Sequence, residues 1–589
     1  MSTETRTTVS LLDLVKALPA MALDAPGMVR NAVGMLVRPG DRASIGLYFQ
    51  RNAHRHPQRL FLRFEGSTYT YQQANAQVNR FANVLTDRGV RRGDVVGVLM
   101  TNRPETLLLA LAVVKLGATV GLVNHNQRDR VLAHSFELLD SVLDVVGEEC
   151  REALDSLPEP LPNVLYSDDL LDAAEFADPD DPAVCAQITA RERAFLIFTS
   201  GTTGLPKASV MTHQRWTKSM AGLGGLGIRL RGSDTMYCCL PLYHNNALTV
   251  ALSSVLAGGA TYALGRKFSA GGFWDEIVRE RATAFIYIGE LCRYLLRQPP
   301  APTDRQHRIR LAVGNGLRPE LWDEFTTRFG IGRVVEFYGA SEAPVAFVNA
   351  FGIDRTAGVG PLPYAIVEYD DETGKAARGS DGRLRRVGSG GVGLLLAKVT
   401  GRQPFDGYTD AQASEAKLVR DGFADGDVWF DTGDLVRDQG WWHIAFVDRL
   451  GDTFRWKGEN VATTQVEGAL SESEAIEEAV VFGVDIPETD GKAGMAAVTL
   501  RADAEFDGKA LAELAYDRLP SYAVPLFVRV VDELEQTSTF KSRKVELRKQ
   551  GYADDDASTL YVLAGRADGY VPAYDEYVDD VAARRAPKG

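Results

Sequence analysis

The sequence predicts an α/β protein: a large N-terminal domain of doubly wound, mostly parallel sheets with a strand-rich subdomain, then a small α+β C-terminal domain. Three observations predict it. At 589 residues the chain exceeds what one compact core supports, so at least two domains are required. From about residue 60, short apolar runs alternate with segments of helical periodicity, the pattern of repeated strand, helix, strand units that build parallel sheets. After Phe351 the texture becomes Gly-, Asp- and Thr-rich with shorter apolar runs, and it breaks again at Asp448 to Asp452. The expected divisions are an N-terminal extension (1–45), a large domain (46–447), a hinge (448–452) and a small mobile domain with a tail (453–589).

In the extension, Leu11, Leu14, Val15 and Leu18 share one helical face and Val29, Val33 and Leu36 share another, flanked by Lys16, Arg30 and Arg38. Pro19 and Pro26 are expected to break this stretch, leaving amphipathic helix that packs on its own domain; a membrane-surface helix is the alternative. In the large domain, DVVGVLM reads as a strand, PETLLLALAVVKLG as a helix and ATVGLVN as the next strand. The same rhythm returns in TMYCCLPLY, AFIYIG, IRLAVGNG and RVVEFYGASE. Lys115 and Gly117 divide the apolar run from Leu107 to Val123, which makes it core rather than a membrane span. In the small domain, AVVFGVDI, GMAAVTLRA and FVRVVDEL read as strands and GKALAELAYDRL as a helix. The end from Ala553, rich in Asp and Tyr, reads as a surface-wrapping tail.

Composition narrows the function classes. The balance of 45% apolar and 24% charged residues is that of a folded protein. A net charge of −14 supplies no basic field for nucleic acid, so an anionic ligand has to be held by a local site. The five cysteines are scattered and lack CxxC spacing, which argues against a disulfide framework or zinc site and for a reducing cytoplasm. Peripheral contact with the cytoplasmic face of a membrane is compatible with the extension.

One such local site is written into AFLIFTSGTTGLPKAS, Ala194 to Ser209, where a buried strand runs into a loop of hydroxyls and glycines. Gly201 and Gly204 allow successive N–H groups to converge on an anion, Thr199, Ser200, Thr202 and Thr203 add hydroxyl donors, and Lys207 adds a mobile positive charge. The spacing is not GxxxxGK[ST], because Lys207 falls three residues after Gly204 and Pro206 intervenes. Other polar segments follow apolar strands: LPLYHNNA around His244, GNGLRP from Gly314, EFYGASE from Glu336 to Glu342, FDTGDL from Phe430, DRLGDTFRWKGENV from Asp448, and TFKSRK ending at Lys544. In doubly wound sheets ligands collect at such places.

Together and in this order, these segments resemble the signatures of the acyl- and aryl-adenylating superfamily, which includes acyl-CoA synthetases, luciferases and peptide-synthetase adenylation domains. Ala208 stands where glycine is more usual. A narrower likeness, in YIGELCRYLL, GNGLRPELWDEF and AFVDRLGDTFRWKGENVATTQVE, is to the fatty acid transport protein and very-long-chain acyl-CoA synthetase family, with Ala343-Pro344 as a departure. The resemblance implies an AMP-forming long-chain or very-long-chain fatty acyl-CoA synthetase. Fatty acid and ATP give acyl-AMP and pyrophosphate, and coenzyme A then gives acyl-CoA and AMP. It implies ATP, Mg2+ and coenzyme A as cofactors and co-substrate, a fatty acid as partner, and no nucleic acid. An acyl-AMP ligase that loads a carrier protein, and a fatty-acid transporter with secondary synthetase activity, are the alternatives. Acyl chain length and oligomeric state stay open.

The resemblance also assigns roles. Glu342 with Thr202 would meet magnesium, and Thr199, Ser200, Gly201, Thr202, Thr203, Gly204 and Lys207 would clamp the phosphates. Gly314, Asn315, Gly316, Tyr338 and Ser341 would line the nucleotide, with Asp434 on the ribose hydroxyls and Arg449 at the domain boundary. His244 would gate acyl access, and Lys544, with Lys541 and Arg543 as rivals, would stabilise the adenylation transition state. Gly451 and Asp452 would form the hinge, and Lys457, Gly458 and Glu459 would approach the pantetheine thiol in a second domain orientation.

Overall fold

The computed structural model describes the chain apart from residues 1–6, 201–205, 340–344, 361–362, 371–373, 402–404, 406–410, 451, 457–458, 488, 490, 535–543, 554–557, 584 and 586–589, and apart from the side chains of residues 20, 199, 200, 411, 413, 460 and 545. Apolar runs become strands buried on both faces, as crossover connections demand. Six strands form one sheet in the spatial order Val164–Tyr166, Leu143–Val146, Val95–Leu99, Thr119–Leu122, Arg193–Ser200 and Pro206–Thr212. Neighbours are parallel except the last pair, which is an antiparallel hairpin with Thr199 opposite Lys207. Lys207 therefore lies on a strand rather than in the loop expected from the sequence; the loop itself, 201–205, is outside the described residues.

A second sheet of fourteen strands joins two regimes. Thr235–Cys238, Ala284–Ile288, Leu311–Asn315 and Val334–Gly339 run parallel, side by side. From Ala346 the strands turn antiparallel, through Gly358–Val359, His443–Arg449, Val428–Gly440, Val392–Lys398 and Tyr364–Val367. This is the strand-rich subdomain, and it continues the parallel sheet instead of standing apart from it.

The C-terminal part has its own core around a five-stranded sheet. Ile476–Asp485, Lys492–Leu500 and Phe527–Val530 are the strands expected there. The segment after Ala553 is not a surface tail. Thr559–Gly565 and Gly569–Pro572 extend the sheet, and the buried Val562, Tyr570 and Tyr577 enter its core, so the apolar residues among the Asp and Tyr outweigh composition.

The N-terminal extension also departs from expectation. Pro19 and Pro26 lie inside one continuous helix, Leu11–Ala32, capped by Ser10 and Asp13. Each proline removes one backbone bond. Against that loss the inner side is fastened to the body: Asp24 pairs with Arg229 at 3.0 Å and Arg231 at 2.8 Å, and Arg30 donates to the Ala257 carbonyl at 3.3 Å. The helix does pack on its own domain, with polar anchors and the half-buried Leu14, Met21 and Met28, while Leu11, Leu12, Val15, Leu18, Leu23 and Val29 are exposed.

Within the first sheet's layer, helix Pro104–Lys115 is buried except at Glu105 and ends on a lysine with no solvent exposure. Its ammonium donates to Asn75 Oδ1 at 2.8 Å, Asn79 Oδ1 at 2.6 Å and Asp181 Oδ1 at 2.5 Å. Burial disfavours its charge and Asp181 restores it, the only anion in this set. Asp181→Ala should therefore cost about 3 kcal/mol or more, by stranding a buried ammonium. Urea unfolding followed by tryptophan fluorescence checks this, and Lys115→Met added to the same variant should recover most of the loss.

Candidate functional site

The candidate site forms where the parallel strands Ala284–Ile288, Leu311–Asn315 and Val334–Gly339 end together. Gly314 lies against the ring of Tyr287, where a Cβ would collide, and Gly316 has φ of 87°, a conformation that favours glycine. These two positions explain why the strand ends in Gly-Asn-Gly. Asn315 accepts from Asn246 Nδ2 at 2.9 Å, which ties this end to the helix after the His244 loop.

Glu336 is the residue that sequence reasoning quoted without giving it a role. Its carboxylate accepts from Gly316 N at 2.9 Å, Leu317 N at 3.0 Å and the Tyr287 hydroxyl at 2.5 Å, so one side chain fixes three strand ends. Burial pushes its carboxyl up to about 7 while those three donors pull it down. The signal was present in VVEFYG: a lone acid inside an apolar run needs internal partners.

Two residues beyond it, Tyr338 is buried and donates its hydroxyl to Asp434 Oδ2 at 2.5 Å. Its ring stacks on Phe446 at 6.4 Å between centroids. Asp434 comes from the antiparallel part of the same sheet, where it is paired in register with Arg449; the Arg449 Nε stands 3.6 Å from Asp434 Oδ1. Three residues separated by up to 111 positions are thus brought together, Asp434 and Arg449 by strand register and Tyr338 by its hydroxyl.

His244 is half-buried, and its ring lies 4.5 Å from that of Tyr243. The turn before it is held by Asn102, which accepts from Leu242 N at 2.8 Å and donates to the carbonyls of Leu240 and Gly265 at 2.9 and 3.0 Å.

Lys544 opens the helix Lys544–Gln550 in the small domain. Its ammonium bonds Glu467 Oε1 and Thr463 Oγ1, each at 2.9 Å. Glu467 also accepts from Val481 N at 3.0 Å and lies 3.5 Å from Arg318 of the large domain. Thr463 in turn donates to Asp448 through its N–H at 2.7 Å and its hydroxyl at 3.0 Å. Burial raises the Asp448 carboxyl, and the charge of Lys544 opposes that rise. Neither Glu467 nor Thr463 stood out in the sequence, because a helix start of ordinary composition carries no motif.

Of the hinge and thiol-facing residues, Asp452 pairs with Arg548 at 2.8 Å, and Glu459 is exposed on a short hairpin opposite Trp456. Gly201, Thr202, Thr203, Gly204, Ser341, Glu342, Gly451, Lys457 and Gly458 lie outside the described residues, as do Lys541 and Arg543 and the side chains of Thr199 and Ser200. Across the domain boundary, helix Gly289–Arg297 presents Arg293 to the Glu477 carbonyl at 2.8 Å and Arg297 to the Glu477 carboxylate at 3.2 Å.

Comparison with known proteins identifies the family and the fold. Residues 49–392 match the family described as AMP-binding enzyme, and residues 465–541 match the AMP-binding enzyme C-terminal domain. The medium/long-chain-fatty-acid–CoA ligase FadD6 of Mycobacterium tuberculosis is 57% identical over 99% of this chain and 98% of its own. Long-chain fatty acid transport protein 2 of Rattus norvegicus is 37% identical over 90% of this chain and 89% of its own. Among solved structures, the anthranilate CoA ligase AuaEII in complex with anthranoyl-AMP is similar in fold, with TM-score 0.75 and 20% identity over 86% of this chain and 97% of that one. ATP-bound MatB from Rhodopseudomonas palustris is likewise similar in fold, with TM-score 0.71 and 22% identity over 86% and 98%. By its match over most of the large domain and by these relatives, the chain belongs to the AMP-binding enzyme family.

Proposed function

We propose that this chain is an AMP-forming ligase that joins a long-chain fatty acid to coenzyme A on the cytoplasmic side. The observation that carries the reading is the Tyr338, Asp434 and Arg449 alignment beside the Gly314–Gly316 turn at the ends of parallel strands. Asp434 suits a ribose, because a carboxylate offers two acceptor oxygens to a pair of hydroxyls. The glycines of the turn admit close approach of the nucleotide, and Tyr338 adds an aromatic wall.

In the first half-reaction the fatty carboxylate attacks the α-phosphorus of ATP and pyrophosphate leaves. Like charges meet, so cations must gather at that point. Lys207, at the edge of the hairpin, is proposed for the β- and γ-phosphates, with the hydroxyls and glycines of 199–204 beside it. Magnesium, expected on Glu342 with Thr202, would disperse charge on the triphosphate. His244 is proposed at the acyl entrance. The decisive cation is proposed to be Lys544, which in the described arrangement bonds Glu467 and Thr463 instead. The small domain would turn about Gly451 and Asp452 to bring it in, and turn back to present Lys457, Gly458 and Glu459. The coenzyme A thiol then attacks the acyl carbon, loses its proton, and AMP departs.

Incubation with ATP, magnesium, coenzyme A and fatty acids of graded length, followed by mass spectrometry, should give acyl-CoA with a preference for long chains. Acyl transfer to a carrier protein but not to coenzyme A would instead support a carrier-loading ligase. Lys544→Ala should lower adenylation by at least about 100-fold, the scale of losing one transition-state donor, while largely sparing conversion of supplied acyl-AMP to acyl-CoA. Equal loss in both half-reactions would assign Lys544 elsewhere. The raised carboxyl of Glu336 gives a third outcome. Above pH of about 7 it ionises and holds the N–H groups of Gly316 and Leu317 more strongly; below, that grip weakens. The ratio of wild-type to Glu336→Gln kcat/KM for ATP should therefore climb as pH rises through about 7, towards roughly tenfold, the scale of a charge-assisted bond. A ratio that stays flat would show that the turn does not depend on this charge.

A further inference from the structure

The N-terminal helix Leu11–Ala32 turns its apolar side to solvent. Leu11, Val15, Leu18, Val29, Val33 and Leu36 are between 51% and 75% exposed. The two groups of three share a phase, because Leu11 and Val29 are separated by 18 positions, about five turns of helix. With no break at Pro19 or Pro26, they form one stripe rather than two faces. Monomeric soluble proteins seldom leave so continuous an apolar surface uncovered.

Charge on this helix is sorted as well. Lys16 is exposed, as is Arg38 just beyond the helix, whereas the Arg30 guanidinium reaches back to the Ala257 carbonyl. The helix has two acids: Asp13 is held in the N-terminal cap, and Asp24 is turned inward onto Arg229 and Arg231. The outward side is therefore apolar with cations and no free acid. The whole chain carries a net charge of −14, so this side differs in sign from the molecule as a whole.

A second feature lies beside the start of the helix. The strands Val428–Gly440 and His443–Arg449 are joined by a two-residue turn made of Trp441 and Trp442, with φ of 51° and 60°. Such turns favour Asn-Gly or Asp-Gly, and bulky side chains resist positive φ. Both tryptophans are nevertheless presented to solvent, Trp442 at 71% exposure. The hairpin touches the extension through Val9 N, which donates to the Gln439 carbonyl at 2.8 Å.

We infer that the outward side of helix Leu11–Ala32, continued by the Trp441-Trp442 turn, is a docking surface for an anionic lipid bilayer, on which the helix lies in the interface. Apolar side chains with flanking cations match the acyl boundary and the headgroup charge, and tryptophan is favoured at that depth. A second copy of the chain fits less well: it would bring the same cations together with no acid on either face, and the prolines interrupt a helix-to-helix seam. Among the described residues no helix is long and apolar enough to cross a membrane, so the contact is one of lying on the surface.

The test is independent of the proposed ligase activity, because it uses neither ATP nor coenzyme A. The full chain is sedimented with vesicles of phosphatidylcholine alone or mixed with phosphatidylglycerol. It should pellet with the mixed vesicles and less with the neutral ones. Replacing Val15, Leu18, Val29 and Val33 by Ser should lower the partition coefficient by at least about tenfold while leaving thermal unfolding in place. Lys16→Glu with Arg38→Glu should abolish the preference for anionic vesicles. Brominated lipids should quench wild-type fluorescence more than that of Trp441→Phe/Trp442→Phe, a readout that needs no disruptive variant. Equal pelleting of the serine variant, or equal quenching with and without the tryptophans, would overturn the inference. So would a lipid-free dimer, seen by sedimentation equilibrium, that the serine substitutions dissolve.

Discussion

The site depends on one buried carboxylate. Glu336 gathers two backbone N–H groups and a tyrosine hydroxyl, so the ends of three parallel strands are held by a single side chain. Strand ends in an open sheet have no intrinsic reason to stay in fixed relation, since the ladder stops there. A carboxylate that would cost several kcal/mol unpaired in the core becomes favourable when three donors converge on it. The same bonds fix the backbone of the Gly314–Gly316 turn. Two positions on, Tyr338 carries the order across to Asp434, so the parallel and antiparallel regimes of one sheet meet at a polar pair.

The second constraint is where an acidic molecule keeps its cations. Lys544 is not left in solvent; Glu467 and Thr463 hold it, and Glu467 is itself anchored by Val481 N. Arg318 of the large domain reaches towards the same carboxylate. Glu467 thus couples the lysine's resting place to the contact between domains. Lys544 and Glu467 belong to the same domain, so the proposed turn would part Glu467 from Arg318 while carrying Lys544 along with it. Such ion pairs are individually weak, so they would oppose the proposed turn only modestly.

The architecture was legible in the sequence because strand and helix periodicities are local and strong. The alternation from residue 60 foretold parallel sheets, and the change of texture after Phe351 foretold the antiparallel part. What escaped the reading was relational. No spacing rule pairs Asp434 with Arg449 or sends Lys544 to Glu467; tertiary register decides those. Local rules also misled where competing contacts were hidden. Pro19 and Pro26 should break a helix, yet inward anchors such as Asp24 on Arg229 outweigh two lost backbone bonds. The residues after Ala553 look like a polar tail, yet Val562, Tyr570 and Tyr577 find a core prepared by the earlier strands. Lys207 seemed to end a loop, but a hairpin partner opposite Thr199 draws it onto a strand.

A substrate with a long apolar chain spends little time free in water, because each methylene prefers a nonpolar phase by about 0.8 kcal/mol. An enzyme for such a substrate gains more from meeting it where it dissolves than from a higher affinity in solution. The net negative charge of the chain works against approach to an anionic surface, and turning the acids of this helix inward relieves that repulsion along its outer side. Charge sorting on a single helix would then fix orientation as well as attachment. The helix is tied to the body through Asp24, Arg30 and the Val9 hydrogen bond, so lying on a surface would orient the whole large domain and not just a flexible leader. Anchoring through polar contacts inward leaves the apolar residues free for the lipid, the reverse of the usual amphipathic arrangement in a globular domain.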